Sequence, residues 1–316
     1  MTGTHPTAAD QELELLLTGL RSSELDFTGS PITARADFEE MLGRIPVAPD
    51  LQFEELEFGG IPTLRCISPG VDPHGPALLY LHGGAYVVGS ARGYRGLAGE
   101  LGRSAGVVTY ALDYRLAPEN RFPAAVEDVV SAYRAMLERG MVPSRIAIGG
   151  DSAGGGLVVA SLLALRDQGL PQPAAALAIS PWVDLRCGGR TLITKADEDP
   201  SLSAAGLLAM AGHYLGNAVP THSWASPGLA DLSDLPPLLI QVGSAEILLD
   251  DAVLLARSAG QAGVAVRLDV WPGMPHVWHA FGFMLTAGRH AIDEAGAFLH
   301  SKLVASSASS RLATAG

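Results

Sequence analysis

Residues 150–154 read Gly-Asp-Ser-Ala-Gly, and the setting of Ser152 within them is one that can make a nucleophile of a serine. The apolar run Ile146-Ala147-Ile148 precedes this stretch, and a helix-compatible run over 157–165 follows it. A serine on a sharp strand-to-helix turn is held in a strained backbone conformation with its hydroxyl projecting above a sheet. The flanking glycines permit the turn, because a β-carbon at either position would strike the turn or the neighbouring chain. The helix that starts behind the serine points free amides and its positive dipole end towards the reacting oxygen.

A serine hydroxyl is a weak nucleophile until a base takes its proton, and that base needs an acid to orient it. On a strand–turn–helix scaffold the partners follow in the order serine, acid, histidine. An expected strand at 237–242 leads into Gly243-Ser244-Ala245-Glu246, and another at 264–270 leads into Trp271-Pro272-Gly273-Met274-Pro275-His276. Both loops open at the carboxyl edge of the sheet, beside Ser152. Glu246 is therefore the expected acid and His276 the expected base. Asp250 and Asp251 compete as acids but read as first-turn carboxylates of a helix at 250–262, where they complement its dipole. His279 competes as base and reads as a solvated or packing histidine. No carboxylate-rich ligand set accompanies the two histidines, so no metal and no other cofactor is expected.

Acyl chemistry at Ser152 would need preorganised donors for an oxyanion. One is the amide of Ala153. Others belong to the Gly-rich run His82-Gly83-Gly84-Ala85-Tyr86, which follows an expected strand at 77–81. Glycines there let the backbone approach a substrate closely.

The elements that must position these residues are legible as alternation. Residues 1–50 carry helical periodicity, with Leu13, Leu16, Leu17 and Leu20 on one face and Phe38, Met41 and Leu42 on another. Runs at 53–58 and 61–68 joined by Gly59-Gly60 signal a hairpin. Strands at 77–81, 107–112, 145–148, 174–179, 237–242 and 264–270 then alternate with helices near 94–104, 123–139, 154–167, 250–262 and 289–303. This pattern predicts an α/β fold, a mostly parallel sheet with helices on both faces. Roughly sixty residues separate the strands at 174–179 and 237–242, where a short crossover would suffice, so an inserted functional element is expected. Its clearest piece is a helix over 203–215, capped by Ser201 or Ser203.

Composition narrows the functions. The chain has 316 residues, 48% of them hydrophobic, which suits one large α/β domain or a core domain with a lid. A net charge of −12 argues against nucleic acid or an anionic membrane surface as partner. No apolar run approaches the roughly 20 residues that span a bilayer, and the acidic N-terminal stretch does not read as a signal peptide, so a cytoplasmic protein without stable membrane association is expected. Cys66 and Cys187 share no motif and read as small hydrophobes.

Together these stretches resemble the bacterial hormone-sensitive-lipase-like esterases of the α/β-hydrolase fold. The resemblance rests on His82-Gly83-Gly84, Asp113-Tyr114-Arg115-Leu116-Ala117-Pro118-Glu119, Gly150-Asp151-Ser152-Ala153-Gly154-Gly155, the Glu246 loop and Gly273-Met274-Pro275-His276, and covers roughly residues 50–303. It implies an eight-stranded sheet, oxyanion donors at Gly83, Gly84 and Ala153, and a cap built from residues 1–50 and an insertion at 185–230. The catalytic domain would then comprise 51–184 and 231–304, followed by a flexible tail at 305–316. Two departures stand out: Ala85 occupies the last position of the family's His-Gly-Gly-Gly, and the usual acid, often aspartate followed by Pro-Leu, is replaced by Glu246-Ile247-Leu248. His82, Asp151, Tyr114, Arg115 and Glu119 read as structural support around the serine, and Tyr86, Trp182, Met210 and Trp224 as candidate pocket residues, with Trp182, Met210 and Trp224 equally able to fill a cap core. The expected activity is hydrolysis of short- to medium-chain carboxylic esters through an acyl-enzyme. A lactone, medium-ring terpenoid lactones included, is the alternative substrate for the same residues. Plant gibberellin receptors share the fold as non-catalytic binders, but they lack the histidine that this chain has at 276. Edge-strand homodimers are common in the family, and the sequence itself leaves that open.

Overall fold

Eight strands form one sheet, and their hydrophobic pattern explains which of them lie at its centre. The computed structural model describes residues 7–23 and 25–304, so the expected tail at 305–316 lies outside the described residues. The elements run α1 (Ala8–Arg21), α2 (Pro31–Gly43), β1 (Gln52–Phe58), β2 (Ile61–Ile67), β3 (Ala77–Leu81), α3 (Arg95–Ala105), β4 (Val108–Leu112) and α4 (Ala124–Glu138). They continue with β5 (Ile146–Asp151), α5 (Ala153–Asp167), β6 (Ala175–Ile179), α6 (Thr191–Thr194), α7 (Ala204–Leu215), β7 (Leu238–Gly243), α8 (Leu249–Gln261), β8 (Val266–Trp271) and α9 (Thr286–Leu303).

The strand order is β1-β2-β4-β3-β5-β6-β7-β8. β1 pairs antiparallel with β2 and β2 with β4, and every later pairing is parallel. Parallel strands covered on both faces must be apolar along their whole length. Accordingly β3 (ALLYL), β4 (VTYAL) and β6 (AALAI) are buried at every position, whereas the edge strand β8 is half-buried or exposed throughout. α3 packs on α9 and α4 on α5, which sandwiches the sheet. Parallel strands all end at one edge, and β3, β5, β7 and β8 deliver their following loops there.

The long interval between β6 and β7 holds α6 and α7, and Ser203 caps α7 by accepting from Gly206 N at 3.1 Å. α1 begins with a capping box in which Thr7 and Asp10 bond reciprocally. Both cysteines are free thiols, Cys66 buried and Cys187 half-buried. Among the described residues no helix is long and apolar enough to cross a membrane.

Candidate active site

β5 ends at Asp151 and α5 starts at Ala153, so Ser152 is the whole of the turn between them. Its φ of 55° and ψ of −122° are costly for a residue with a β-carbon. Three backbone bonds hold it there. Ser152 N–H donates to Ile179 O at 2.8 Å, and Ser152 O accepts from Trp182 N at 3.0 Å and Gly156 N at 3.1 Å. The flanking glycines are needed sterically. A β-carbon on Gly150 would lie 2.5 Å from Leu81 O, and one on Gly154 would lie 2.1 Å from the same atom.

The loops after β7 and β8 bring Glu246 and His276 to this turn. His276 Nε2 lies 2.9 Å from Ser152 Oγ, and His276 Nδ1 lies 2.8 Å from Glu246 Oε2. A carboxylate oxygen accepts, so the ring carries its proton on Nδ1 and presents Nε2 to the serine as an acceptor. The other oxygen of Glu246 accepts from Gly243 N and from Ser180 Oγ, both at 2.7 Å. Glu246 is fully buried and His276 nearly so. Burial alone would pull the His276 pKa down. The hydrogen bond and charge of Glu246, with the more distant charges of Asp199 and Asp151, outweigh it and leave His276 above its ordinary 6.5.

Asp250 and Asp251 stand in the first turn of α8, away from His276. Asp250 Oδ2 accepts from Arg190 N and Thr191 N at 2.6 and 3.1 Å, and Asp251 Oδ2 from Val183 N and Asp184 N at 2.8 and 2.9 Å. They fasten the segment that follows β6. Burial, aided by neighbouring acids, pushes Asp251 up to about 7. His279 is buried with Nε2 on Gln241 Oε1 at 3.0 Å, and burial lowers it to about 3. It does not face the serine.

The Gly-rich turn corrects one sequence expectation. Gly83 N–H donates to Asp151 Oδ1 at 3.0 Å, so this amide is consumed by the scaffold and is not offered to an oxyanion. Gly84 and Ala85 instead line the same cavity as Ser152 and His276. They adopt φ of 111° and 52°, which turns the chain sharply at this point. No other group engages their amides among the described residues. Ala153, as the first residue of α5, likewise has no intrahelical acceptor for its N–H.

A buried network braces that turn. Asp151 Oδ1 also accepts from Tyr80 Oη at 2.5 Å, and burial pushes Asp151 up to about 6 against these bonds. His82 Nδ1–H donates to Gly83 O at 2.7 Å, while its ring stacks on Tyr114 at 4.3 Å and on Tyr94 at 5.7 Å. Tyr114 Oη in turn donates to His82 O at 2.7 Å. Burial holds the His82 pKa below 6.5. Arg115 forms a two-pronged contact with Asp128 of α4, at 2.7 and 2.9 Å. Glu119 pairs with Arg35 of α2 at 2.5 Å.

A cavity of about 150 Å³ opens on Ser152 and His276. α2 contributes Phe38, Met41 and Leu42 to its wall, and α7 contributes Leu207 and Met210. Among the described residues no Asp, Glu, Lys or Arg lines it. Of the four candidate pocket residues only Met210 does. Tyr86 is stacked on Tyr214 at 3.9 Å and abuts Trp182, and both Tyr86 and Trp182 are sealed in the core. Trp224 turns outward, its indole N–H donating to Asp167 Oδ2 at 3.0 Å at the end of α5. Tyr86 and Trp182 are thus core packing residues, and Trp224 is a half-buried residue packed against the edge of the core, so none of the three is a pocket residue.

Three contributors have no sequence motif to announce them. Ser180, at φ 44°, links Glu246 to the backbone of Val277. Tyr94 lies beside Asp151 and also lines the cavity. Asp199 accepts from Ile247 N at 2.9 Å with one oxygen and from Ser201 N and Leu202 N at 2.9 and 3.0 Å with the other. It ties the Glu246 loop to the cavity wall.

Residues 78–280 match a family model described as alpha/beta hydrolase fold. An acetyl-hydrolase of Streptomyces hygroscopicus is 48% identical over 265 residues, spanning 83% of this chain and 86% of the relative. An ethyl acetate hydrolase of Pseudomonas putida is 35% identical over 248 residues, 75% of this chain and 77% of the relative. Among solved structures, an esterase from the bacterial hormone-sensitive lipase family superposes with a TM-score of 0.90 at 45% identity, covering 95% of this chain and all of that one. A fold of this kind, shared at such identity over most of the length, places the chain in the bacterial hormone-sensitive-lipase-like family of α/β-hydrolase esterases, as a carboxylic ester hydrolase.

Proposed function

We propose that the chain hydrolyses uncharged carboxylic esters with short to medium acyl groups through an acyl-enzyme on Ser152. The observation that carries this reading is the unbroken line Glu246–His276–Ser152, with contacts of 2.8 and 2.9 Å, opening into an apolar cavity. Ser152 Oγ attacks the ester carbonyl carbon while its proton passes to His276 Nε2, and Glu246 stabilises the imidazolium. The amides of Gly84, Ala85 and Ala153 hold the carbonyl oxygen as it becomes an oxyanion. Collapse breaks the carbon–alkoxide bond, and the proton on Nε2 leaves with the alcohol. Water then gives a proton to Nε2 and its oxygen to the acyl carbon. The second tetrahedral species expels Ser152, which recovers its proton, and the acid departs.

A small neutral substrate is supported by the cavity volume, by the absence of charged side chains from its described lining, and by relatives named acetyl-hydrolase and ethyl acetate hydrolase. The test is Ser152→Ala assayed on p-nitrophenyl esters from acetate to palmitate. Turnover is expected to fall by about 10⁶, and a fluorophosphonate is expected to label wild-type Ser152 and not the variant. Near-native turnover in the variant would sink the reading, and a wild-type preference for palmitate would sink its substrate range.

A further inference from the structure

Arg35, on α2, reaches four acceptors far away in sequence. Its Nε–H donates to Val87 O at 2.7 Å, its Nη2 to Ala117 O at 2.5 Å, and its Nη1 and Nη2 to the two oxygens of Glu119 at 2.9 and 2.5 Å. These carbonyls belong to the scaffold of the oxyanion turn. Val87 and Val88 both donate their amides to Gly84 O at 2.9 Å, and Ala117 N donates to Tyr86 O at 2.9 Å. The turn needs such support, because Ala85 and Tyr86 are consecutive non-glycine residues at φ of 52° and 64°. Two helical turns along α2 from Arg35 stand Met41 and Leu42, which wall the cavity above Ser152.

We propose that Arg35 is a positioning residue that locks α2 and the 84–87 turn into one unit, so that seating of α2 fixes the amides of Gly84 and Ala85. A guanidinium suits this task, since its planar fork can serve several fixed acceptors at once, whereas an ammonium is a single point of charge. The proposal rests on the reading of Ser152 as the nucleophile with those amides as its oxyanion donors, and it names a residue outside the Gly-rich run as a determinant of the rate. Glu119 orients the fork from the solvent side. The two carbonyls carry the coupling to the turn.

The test compares wild type, Arg35→Met, Arg35→Lys and Glu119→Gln on p-nitrophenyl acetate and hexanoate, with kcat normalised to active sites by burst titration. Arg35→Met is expected to lower kcat at least tenfold on both esters while KM for acetate stays within twofold. Arg35→Lys is expected to recover part of this, and Glu119→Gln, which leaves the carbonyl contacts, to lose less than threefold. Should Arg35→Met fail to fold, Arg35→Lys carries the same comparison against wild type. An unchanged kcat with a raised KM for hexanoate alone would overturn the proposal, reducing Arg35 to a fixture of the cavity wall. A fall in active-site titre with unchanged kcat per site would also overturn it. A Ser152→Ala variant that stays active would instead defeat the underlying reading, so the two failures are distinguishable.

Discussion

Asp151 and Gly83 stand 68 positions apart in sequence and meet at 3.0 Å, the amide of one donating to the carboxylate of the other. The residue before the serine thus anchors the turn opposite it. Because Tyr80 holds the same oxygen at 2.5 Å, the anchor has little room to shift.

Gly83→Ala tests that anchor. An added β-carbon would sit 2.2 Å from Asp151 Oδ2 and 2.8 Å from Tyr94 Oη. Both atoms are buried, so the turn must move away and take Gly84 and Ala85 with it. A fall in kcat of about 10²–10³ is expected, the range for losing an oxyanion donor, with Ser152 still labelled by a fluorophosphonate. Wild-type kcat on p-nitrophenyl acetate would show that the turn plays no part in the rate.

The pH profile tests the Glu246–His276 contact. On the proposed mechanism His276 must be neutral to accept the serine proton, and its pKa lies above 6.5 because Glu246, with the charges of Asp199 and Asp151, outweighs burial. Activity is therefore expected to rise with pH through a midpoint above 6.5. In Glu246→Gln the largest opposing charge is gone while the burial remains, so the midpoint of the residual activity should fall relative to wild type. A loss in kcat of about 10³–10⁴ should accompany it, as when an orienting acid is neutralised. A midpoint that does not move between the two proteins would refute the electrostatic account.

The order of serine, acid and histidine along the chain was enough to expect Glu246 and His276 beside Ser152, because parallel strands deliver their following loops to one edge. The alternation of strands and helices carried the sheet in the same way. Local pattern could not say which amide of His82-Gly83-Gly84-Ala85 is free, since the group that consumes Gly83 N–H lies on another strand. Side-chain direction was equally hidden. Met210 and Trp224 both fall in the insertion after β6, yet one faces the cavity and the other bonds Asp167 at the surface. Arg35, Ser180 and Asp199 make contacts between distant parts of the chain, and no spacing rule marks them.

Asp251→Asn probes the fastening of the segment after β6. Asp251 has a folded pKa of about 7 against an ordinary 3.8, chiefly from burial. An acid raised in this way retains its proton longer in the folded state. Its stabilising contribution is complete below 3.8 and is lost as pH rises towards and past 7. Asparagine keeps an oxygen for the amides of Val183 and Asp184 and cannot ionise. The Tm difference, variant minus wild type, should therefore become more positive between pH 4.5 and pH 8. Equal differences at both values would mean that Asp251 stays charged in the fold.

Asp199 joins the cavity wall to the acid loop, and its two oxygens have separable duties. One holds Ile247 N, next to Glu246, and the other holds Ser201 and Leu202, which line the cavity. Its charge is also among those that keep His276 above 6.5. Asp199→Ala leaves three amides without this acceptor and should cost roughly 2–4 kcal/mol of stability, with KM rising most for esters that fill the cavity. Asp199→Asn keeps the shape and one acceptor, so it should fold and bind more nearly like wild type. Both variants lose the charge, and in both the midpoint of the pH–activity curve should move down towards 6.5. If Asp199→Asn leaves that midpoint in place, the carboxylate acts on the loops alone and its field does not reach the histidine.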